Sequence, residues 1–298
     1  MNKIFVSGLL NIETTLKVDS FPIQYSPIEY PFYGVNTTIS GVGYNIAKAL
    51  TTLGENISLF SIIGDDGHGY LIKEVLKKEG IKTNNIMVDD STAESVVIYD
   101  KNGARKIYCD LKNLQDINPF ANPEEHISRP EDYSLAAITN INFNRPLLHF
   151  FKEHNIKIAT DVHILGDINE EYSQEFMQFA DLLFLSNEAI KNREADFAKQ
   201  LYQKFHNQII VIGCGEEGAL AYVGETDTYY YEKAVAPLGV LNTVGAGDAL
   251  FSSFIHFYNK GYDIQSCLKH AVVFAGLKIS VSGGAKGFFN EETLKKYL

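Results

Sequence analysis

Six short, continuous apolar runs recur along this chain, and most are followed by a stretch with helical periodicity. The runs are Lys3 to Val6, Ile57 to Ile63, Leu135 to Thr139, Ile156 to Thr160, Leu182 to Leu185 and Ile209 to Ile212. Strands with no polar face belong in a parallel sheet that is covered on both sides. Helical patterns lie between them: Gly69 to Glu79, with Leu71, Ile72, Val75 and Leu76 on one face, then Pro146 to His154 and Asn187 to Phe205. From Ala246 onward the chain reads mostly helical, over Asp248 to Tyr258, Asp263 to Val281 and Glu291 to Tyr297. The alternation predicts an α/β fold, a doubly wound and mainly parallel sheet with helices on both faces. A chain of 298 residues can bury such a core as a single domain over 1–298.

Two stretches break the alternation. Residues 14–39 are rich in Tyr, Pro and Phe and have no helical period. Residues 94–110 read as a β-hairpin, Val96 to Tyr99 and Lys106 to Tyr108 around a turn at Asn102-Gly103. Together they predict a small β-sheet projecting from the α/β body and available as a lid; an antiparallel edge extension of the main sheet is the alternative. Asn118 to Asp132, with three prolines, reads as a surface connection.

The net charge of −11 and a pI near 5.2 give a field that repels nucleic acid and anionic membrane surfaces. No stretch approaches the ~20 apolar residues that a bilayer-spanning helix needs. Cys109, Cys214 and Cys267 lack any C-x-x-C spacing, which fits neither a disulfide framework nor a zinc site. They read as small apolar residues in a cytoplasmic protein. The histidines show no metal-ligand spacing; His163, following Asp161 at a strand end, reads as a surface or packing residue.

Chemistry enters with two glycine-rich segments. In Asn242-Thr243-Val244-Gly245-Ala246-Gly247-Asp248 no bulky side chain shields the backbone N–H groups that open the following helix. Those donors and the positive end of the helix form an anion cradle. Asp248 would repel an anion unless it serves as a base toward a hydroxyl while the amides hold a phosphoryl group in transfer. In Ser40-Gly41-Val42-Gly43-Tyr44-Asn45-Ile46-Ala47 small residues again precede a helix, and Asn45 projects from its first turn. An amide that both donates and accepts suits a polyhydroxylated ligand better than a phosphate. Tight helix–sheet packing with Asn45 as a cap is the structural alternative.

Together the two segments resemble the signatures of the ribokinase-like (PfkB) carbohydrate kinase family, Gly-Gly-x-x-x-Asn-x-Ala at Ser40 to Ala47 and Asp-Thr-x-Gly-Ala-Gly-Asp at Asn242 to Asp248. Gly64-Asp65-Asp66 with Gly69, and Gly213-Cys214-Gly215 through Gly218, extend the likeness over nearly the full length. The resemblance implies ATP-dependent phosphorylation of the primary hydroxyl of a small sugar, with Mg²⁺. Asp248 would be the base, and Gly245, Ala246 and Gly247 the anion hole. Asn11, Glu13, Gly41, Gly43 and Asn45 would hold the acceptor. Gly213, Gly215, Gly218 and Thr243 would border the nucleotide, and Asn187, with Glu188, would place the metal. A homodimer through the lid is also implied, with Tyr30, Phe32 and Tyr33 as contact, lid core or a stack for a nucleobase.

Four residues depart from the family pattern. Asn242 replaces an Asp beside the anion hole, and Ser40 replaces the first glycine of the acceptor-side pair. Glu13 stands where an Asp is usual, moving the carboxylate by about 1.5 Å. Ile190 replaces the Glu of an Asn-x-x-Glu pattern, leaving Glu188 as a substitute. The acceptor-side run also looks like that of pseudouridine kinases, except that Tyr44 replaces an Arg. A nucleoside kinase is therefore the first alternative, and a non-catalytic metabolite-binding regulator the second. No G-x-G-x-x-G follows the first strand, which argues against a dinucleotide-dependent oxidoreductase.

Overall fold

The computed structural model describes residues 3–100, 104–281 and 283–298. The chain opens with β1 (Lys3–Ser7), β2 (Asn11–Lys17), β3 (Val35–Ser40), α1 (Val42–Thr52), β4 (Ile57–Gly64), α2 (Gly67–Lys78), β5 (Ile86–Asp89), β6 (Ala93–Tyr99) and β7 (Arg105–Asp110). It continues through β8 (Tyr133–Ile138), α3 (Arg145–Glu153), β9 (Lys157–Ile164), α4 (Glu171–Phe179), β10 (Leu182–Ser186), α5 (Glu194–Phe205) and β11 (Ile209–Gly213). The last third holds β12 (Gly218–Val223), β13 (Thr228–Lys233), α6 (Ala246–Asn259), α7 (Ile264–Lys278) and α8 (Glu291–Leu294).

The main sheet has the order β13-β12-β11-β10-β9-β8-β1-β4-β5. Its strands from β5 to β11 pair in parallel, and the hairpin β12–β13 closes one edge antiparallel. Both faces are covered, as unbroken apolar strands require. Ile4 and Val6 pack with residues of α1, α2, α6 and α7. Phe5, pointing the other way from the same strand, packs with residues of α3, α4 and α5. Its ring lies 4.6 Å from that of Phe60 and 4.5 Å from that of Phe151.

A second sheet has the order β3-β2-β6-β7, with β2 and β6 parallel and the outer pairs antiparallel. The residues between β2 and β3 are mostly exposed coil, so the aromatic richness there builds no strand; Tyr25, Phe32 and Tyr33 are almost fully exposed. The expected hairpin turn at Asn102-Gly103 lies outside the described residues. Asp66 links the two sheets: it caps α2 by accepting from Gly69 N (2.7 Å) and also accepts from Thr92 N (2.8 Å) just before β6.

Other expectations shift for physical reasons. The helix read from Asn187 begins only at Glu194, because the chain first makes a tight turn and Asn192 takes a left-handed conformation (φ 64°). The connection from Asn118 to Asp132 is seated on the core by Phe120 and Ile127, both buried. Cys214 and Cys267 are buried, but Cys109 is exposed on β7, which corrects the reading of all three as packing residues. Helix α4 and the β12–β13 hairpin carry mixed polar and apolar residues, and periodicity alone did not set them apart.

The sheet reverses its winding direction at β1, which has β4 on one side and β8 on the other. Ligands bind outside the carboxyl ends of the strands at such a point. Asn144, fully buried, ties those ends together: it accepts from Ser7 Oγ (2.6 Å) and donates to the carbonyls of Ser7 (3.1 Å) and Thr139 (2.8 Å). Asn144→Ala removes these bonds and strands buried polar groups, and is expected to cost about 2–3 kcal/mol. Urea unfolding checks it, with an unchanged midpoint as the contrary result.

Candidate active site

Both glycine-rich segments sit at helix starts. Gly245 takes the left-handed conformation (φ 80°) that turns the chain into α6, and a Cβ on it would collide with the Gly284 carbonyl. The N–H groups of Gly247 and Asp248 fall in the first helical turn and have no intrahelical partner. Space beside Gly247 is open, since a Cβ there would meet only the Asp161 carboxylate, at 4.0 Å. The Ala246 N–H is used in the turn itself, donating to the Thr243 carbonyl (3.1 Å). Asn242 shapes the turn by accepting from Val244 N (2.7 Å), a task that its amide performs without a charge.

Helix α1 starts against the β1–β2 connection. Gly43 N donates to the Leu9 carbonyl (3.0 Å), and a Cβ at Gly43 would lie 2.5 Å from the Gly8 carbonyl carbon. A Cβ on Gly41, at φ 103°, would strike the Leu9 carbonyl. Only glycine lets α1 approach this closely. The approach brings Asn45 to the start of α6, where its Nδ2 donates to Asp248 Oδ2 at 2.6 Å across 203 positions of sequence. Asn45 is buried, and its Oδ1 has no partner among the described residues.

Strand β2 adds Asn11 and Glu13, two positions apart and thus on one face. Asn11 Nδ2 donates to Ser95 Oγ (2.8 Å), while its buried Oδ1 has no partner among the described residues. Glu13 accepts from Ser40 Oγ (3.2 Å). Burial raises the Glu13 pKa, opposed by that hydrogen bond and by the charges of Lys278 and Arg105. Two of the sequence departures, Ser40 and Glu13, therefore meet each other. Desolvation likewise lifts Asp248 to about 6, with Asp161 acting in the same sense and Asn45, His163 and Lys278 acting against it.

A cavity of about 130 Å³ lies beside this cluster, lined by Leu9, Val42, Thr139, Asn140, His163 and Tyr172, among others. His163, in a left-handed conformation (φ 59°), borders the cavity and is exposed, as a surface histidine would be. A hollow of about 260 Å³ beside Asn84–Met87 borders neither glycine turn. Tyr44 points away from the site: its hydroxyl donates to the carboxylate of Glu79 (2.9 Å) below α2.

The remaining candidates lie along the ends of β10 and β11. Asn187, buried, donates from Nδ2 to Glu194 Oε1 (2.7 Å). Burial would raise the Glu194 carboxyl, but bonds from Asn187 and from the N–H groups of Asn192, Arg193 and Glu194 itself hold it below its usual range. Glu188 is exposed, and Ile190 is buried in the core. The carboxylate beside Asn187 is accordingly Glu194, which sequence spacing missed because it lies seven positions on. Gly213 ends β11, and Gly215 sits at φ 58° in an open turn. Gly218 is required by strand pairing, since a Cβ there would strike the Glu232 carbonyl. Among the described residues, no three His, Cys, Asp or Glu side chains converge as a metal cage. None of the helices there is long and apolar enough to cross a membrane.

Comparison with known proteins bears on the family and the fold. A family model described as pfkB family carbohydrate kinase matches residues 1–289. An acarbose 7(IV)-phosphotransferase from Actinoplanes sp. is 22% identical over 297 residues, covering 98% of this chain and 96% of the relative. Among solved structures, the microbiome-derived acarbose kinase Mak1 superposes with a TM-score of 0.88 at 21% identity, covering 100% and 99% of the two chains. A ribokinase from Arabidopsis thaliana, complexed with ribose and ATP, gives 0.82 at 17% identity, covering 99% and 98%.

The burial of Asp248 has a measurable consequence. Its carboxyl binds a proton more tightly in the fold, at about 6 against an ordinary 3.8. That contribution to stability is fully present below the ordinary value and is lost as pH rises through about 6. Asp248→Asn avoids the loss, so its advantage in Tm over the natural chain is expected to widen between pH 4 and pH 7. Thermal unfolding at both pH values decides, and an equal difference contradicts it.

Proposed function

Because the chain belongs to the pfkB family of carbohydrate kinases, we propose that it transfers the terminal phosphoryl group of ATP to the primary hydroxyl of a small sugar. The observation that carries this reading is the Asn45–Asp248 hydrogen bond, which joins an anion cradle and a hydroxyl-binding segment into one site. Asp248 takes the proton from the attacking hydroxyl, and its raised pKa makes it a better base than an exposed carboxylate. The amides of Gly247 and Asp248, with Gly245 and Ala246 shaping the turn, face the charge on the transferring group.

The acceptor lies in the cavity between α1 and the ends of β8 and β9. Asn11, Asn45 and Glu13 stand next to that cavity without lining it; Asn11 and Asn45 offer buried Oδ1 atoms that lack a partner among the described residues, and Glu13 a carboxylate, to the acceptor's hydroxyls. Gly41 and Gly43 let the backbone come close. The nucleotide lies along Thr243, Gly213, Gly215 and Gly218. Asn187 and Glu194 would hold Mg²⁺ through water, and the ion would supply positive charge to neutralise the phosphates. Such a water-mediated site fits a lone carboxylate–amide pair, in place of the Glu188 suggested by spacing.

The β3-β2-β6-β7 sheet acts as a lid that excludes water as a competing acceptor. Tyr25, Tyr30, Phe32 and Tyr33 are exposed beside it and provide the contact for a second copy of the chain. They line no part of the cavity beside the site.

ADP formation measured over pentoses, hexoses, acarbose and nucleosides tests the reading. Turnover with a sugar is expected, falling as pH drops below about 6, where Asp248 gains a proton. Asp248→Asn is expected to lower kcat about 10²–10⁴-fold. Best turnover with nucleosides would move the reading to a nucleoside kinase, and no turnover on any acceptor would favour a metabolite-binding regulator.

A further inference from the structure

Lys278, the last residue of α7, is fully buried, a state that lysine almost never adopts without a specific partner. Its Nζ donates to the Gly283 carbonyl (2.8 Å). The neighbouring Gly284 lies where three parts of the site meet. Its carbonyl lies directly against Gly245 at the start of α6, and a Cβ on it would come within 3.0 Å of Asn45 Nδ2. The residue after Lys278, Ile279, accepts from the N–H groups of Leu241 (2.8 Å) and Asn242 (3.1 Å), which lead into the same turn. One ammonium therefore fastens the loop that supports both glycine segments.

Its charge has a second destination. Lys278 faces two carboxylates, Asp248 of α6 and Glu13 of β2, and forms an ion pair at bonding distance with neither. Asp248 is faced in addition by Asn45 of α1 and by Asp161 and His163 of β9. Glu13 is faced by Ser40 and by Arg105 of β7. We propose that Lys278 is a positioning residue: it pins the Gly283–Gly284 loop beneath the glycine turn and adds a positive charge that favours the ionised form of Asp248 for its role as base. The inference rests on that reading of Asp248. Desolvation brings Lys278 itself down to about 8, with the two carboxylates working against the drop, so its charge is present at neutral pH and fades above it.

The two contributions separate experimentally. Lys278→Gln keeps a donor for Gly283 but removes the charge, whereas Lys278→Met removes both. Carboxyl ¹³C titration of the full-length chain, with Asp248 assigned through Asp248→Asn, reads the base directly and needs no turnover. Its midpoint is expected to rise in both variants, by less than about one pH unit. The acidic limb of kcat should shift upward equally. In the natural chain the Asp248 signal should show a second step near pH 8, as Lys278 loses its proton; this readout survives if neither variant folds. His163→Gln, measured in parallel, separates the neighbouring imidazole from the lysine. An unmoved midpoint in the variants, or no second step in the natural chain, overturns the proposal. A variant pair in which Met alone loses activity with an unmoved limb reduces Lys278 to a loop fastener and overturns it too. Absence of phosphoryl transfer in the natural chain would instead overturn the kinase reading, and the titration would still stand.

Discussion

A single hydrogen bond, Asn45 Nδ2 to Asp248 Oδ2, brings the first and last thirds of the chain to one point. Everything near it serves to make that contact possible. Glycines at 41 and 43 let α1 settle backbone-to-backbone on the β1–β2 connection, and Gly245 lets α6 begin against the Gly284 carbonyl. With a side chain at any of these positions, the amide and the carboxylate would stand apart. The bond also opposes the desolvation that raises Asp248, so it tunes the group that it positions.

The departures from the family pattern become intelligible once their partners are known. Ser40 and Glu13 compensate one another: the added hydroxyl donates to the longer carboxylate. Asn242 keeps the turn geometry through its side-chain oxygen and gives up only the charge. Ile190 fills the core, while Glu194 comes round from the start of α5 to meet Asn187. Each loss of a familiar residue is met within hydrogen-bond distance or by packing.

The architecture was largely legible in the sequence because unbroken apolar runs permit few arrangements. Strands β1, β4, β8, β9, β10 and β11 all grew from such runs. The two glycine segments were legible for a similar reason, since small residues before a helix mark places where backbone must be exposed or closely approached. Glu194 was not, because a turn with a left-handed Asn192 breaks the spacing on which motif reading depends. Lys278 was hidden more deeply. A lysine at a helix end reads as a solvated cap, and only three-dimensional packing shows it enclosed. His163 is exposed, as its sequence suggests, but local sequence does not reveal that β9 ends beside a cavity.

The connection between the two sheets is short and heavily anchored. Only Gly8, Leu9 and Leu10 separate β1 from β2; Ser61 Oγ donates to the Gly8 carbonyl (2.6 Å) and Gly43 N to that of Leu9. A pivot held this firmly cannot swing as a free hinge, so any tilt of the small sheet must arise as twist within β2 itself. Asn11 stands at the clamped end of that strand and Glu13 one pleat farther out. Twist along β2 would then change the angle between the two side chains, much as a torsion bar converts rotation into strain. The strand that carries the small sheet is thereby also its gauge, and the spacing of Asn11 and Glu13 and the attitude of that sheet become one mechanical variable.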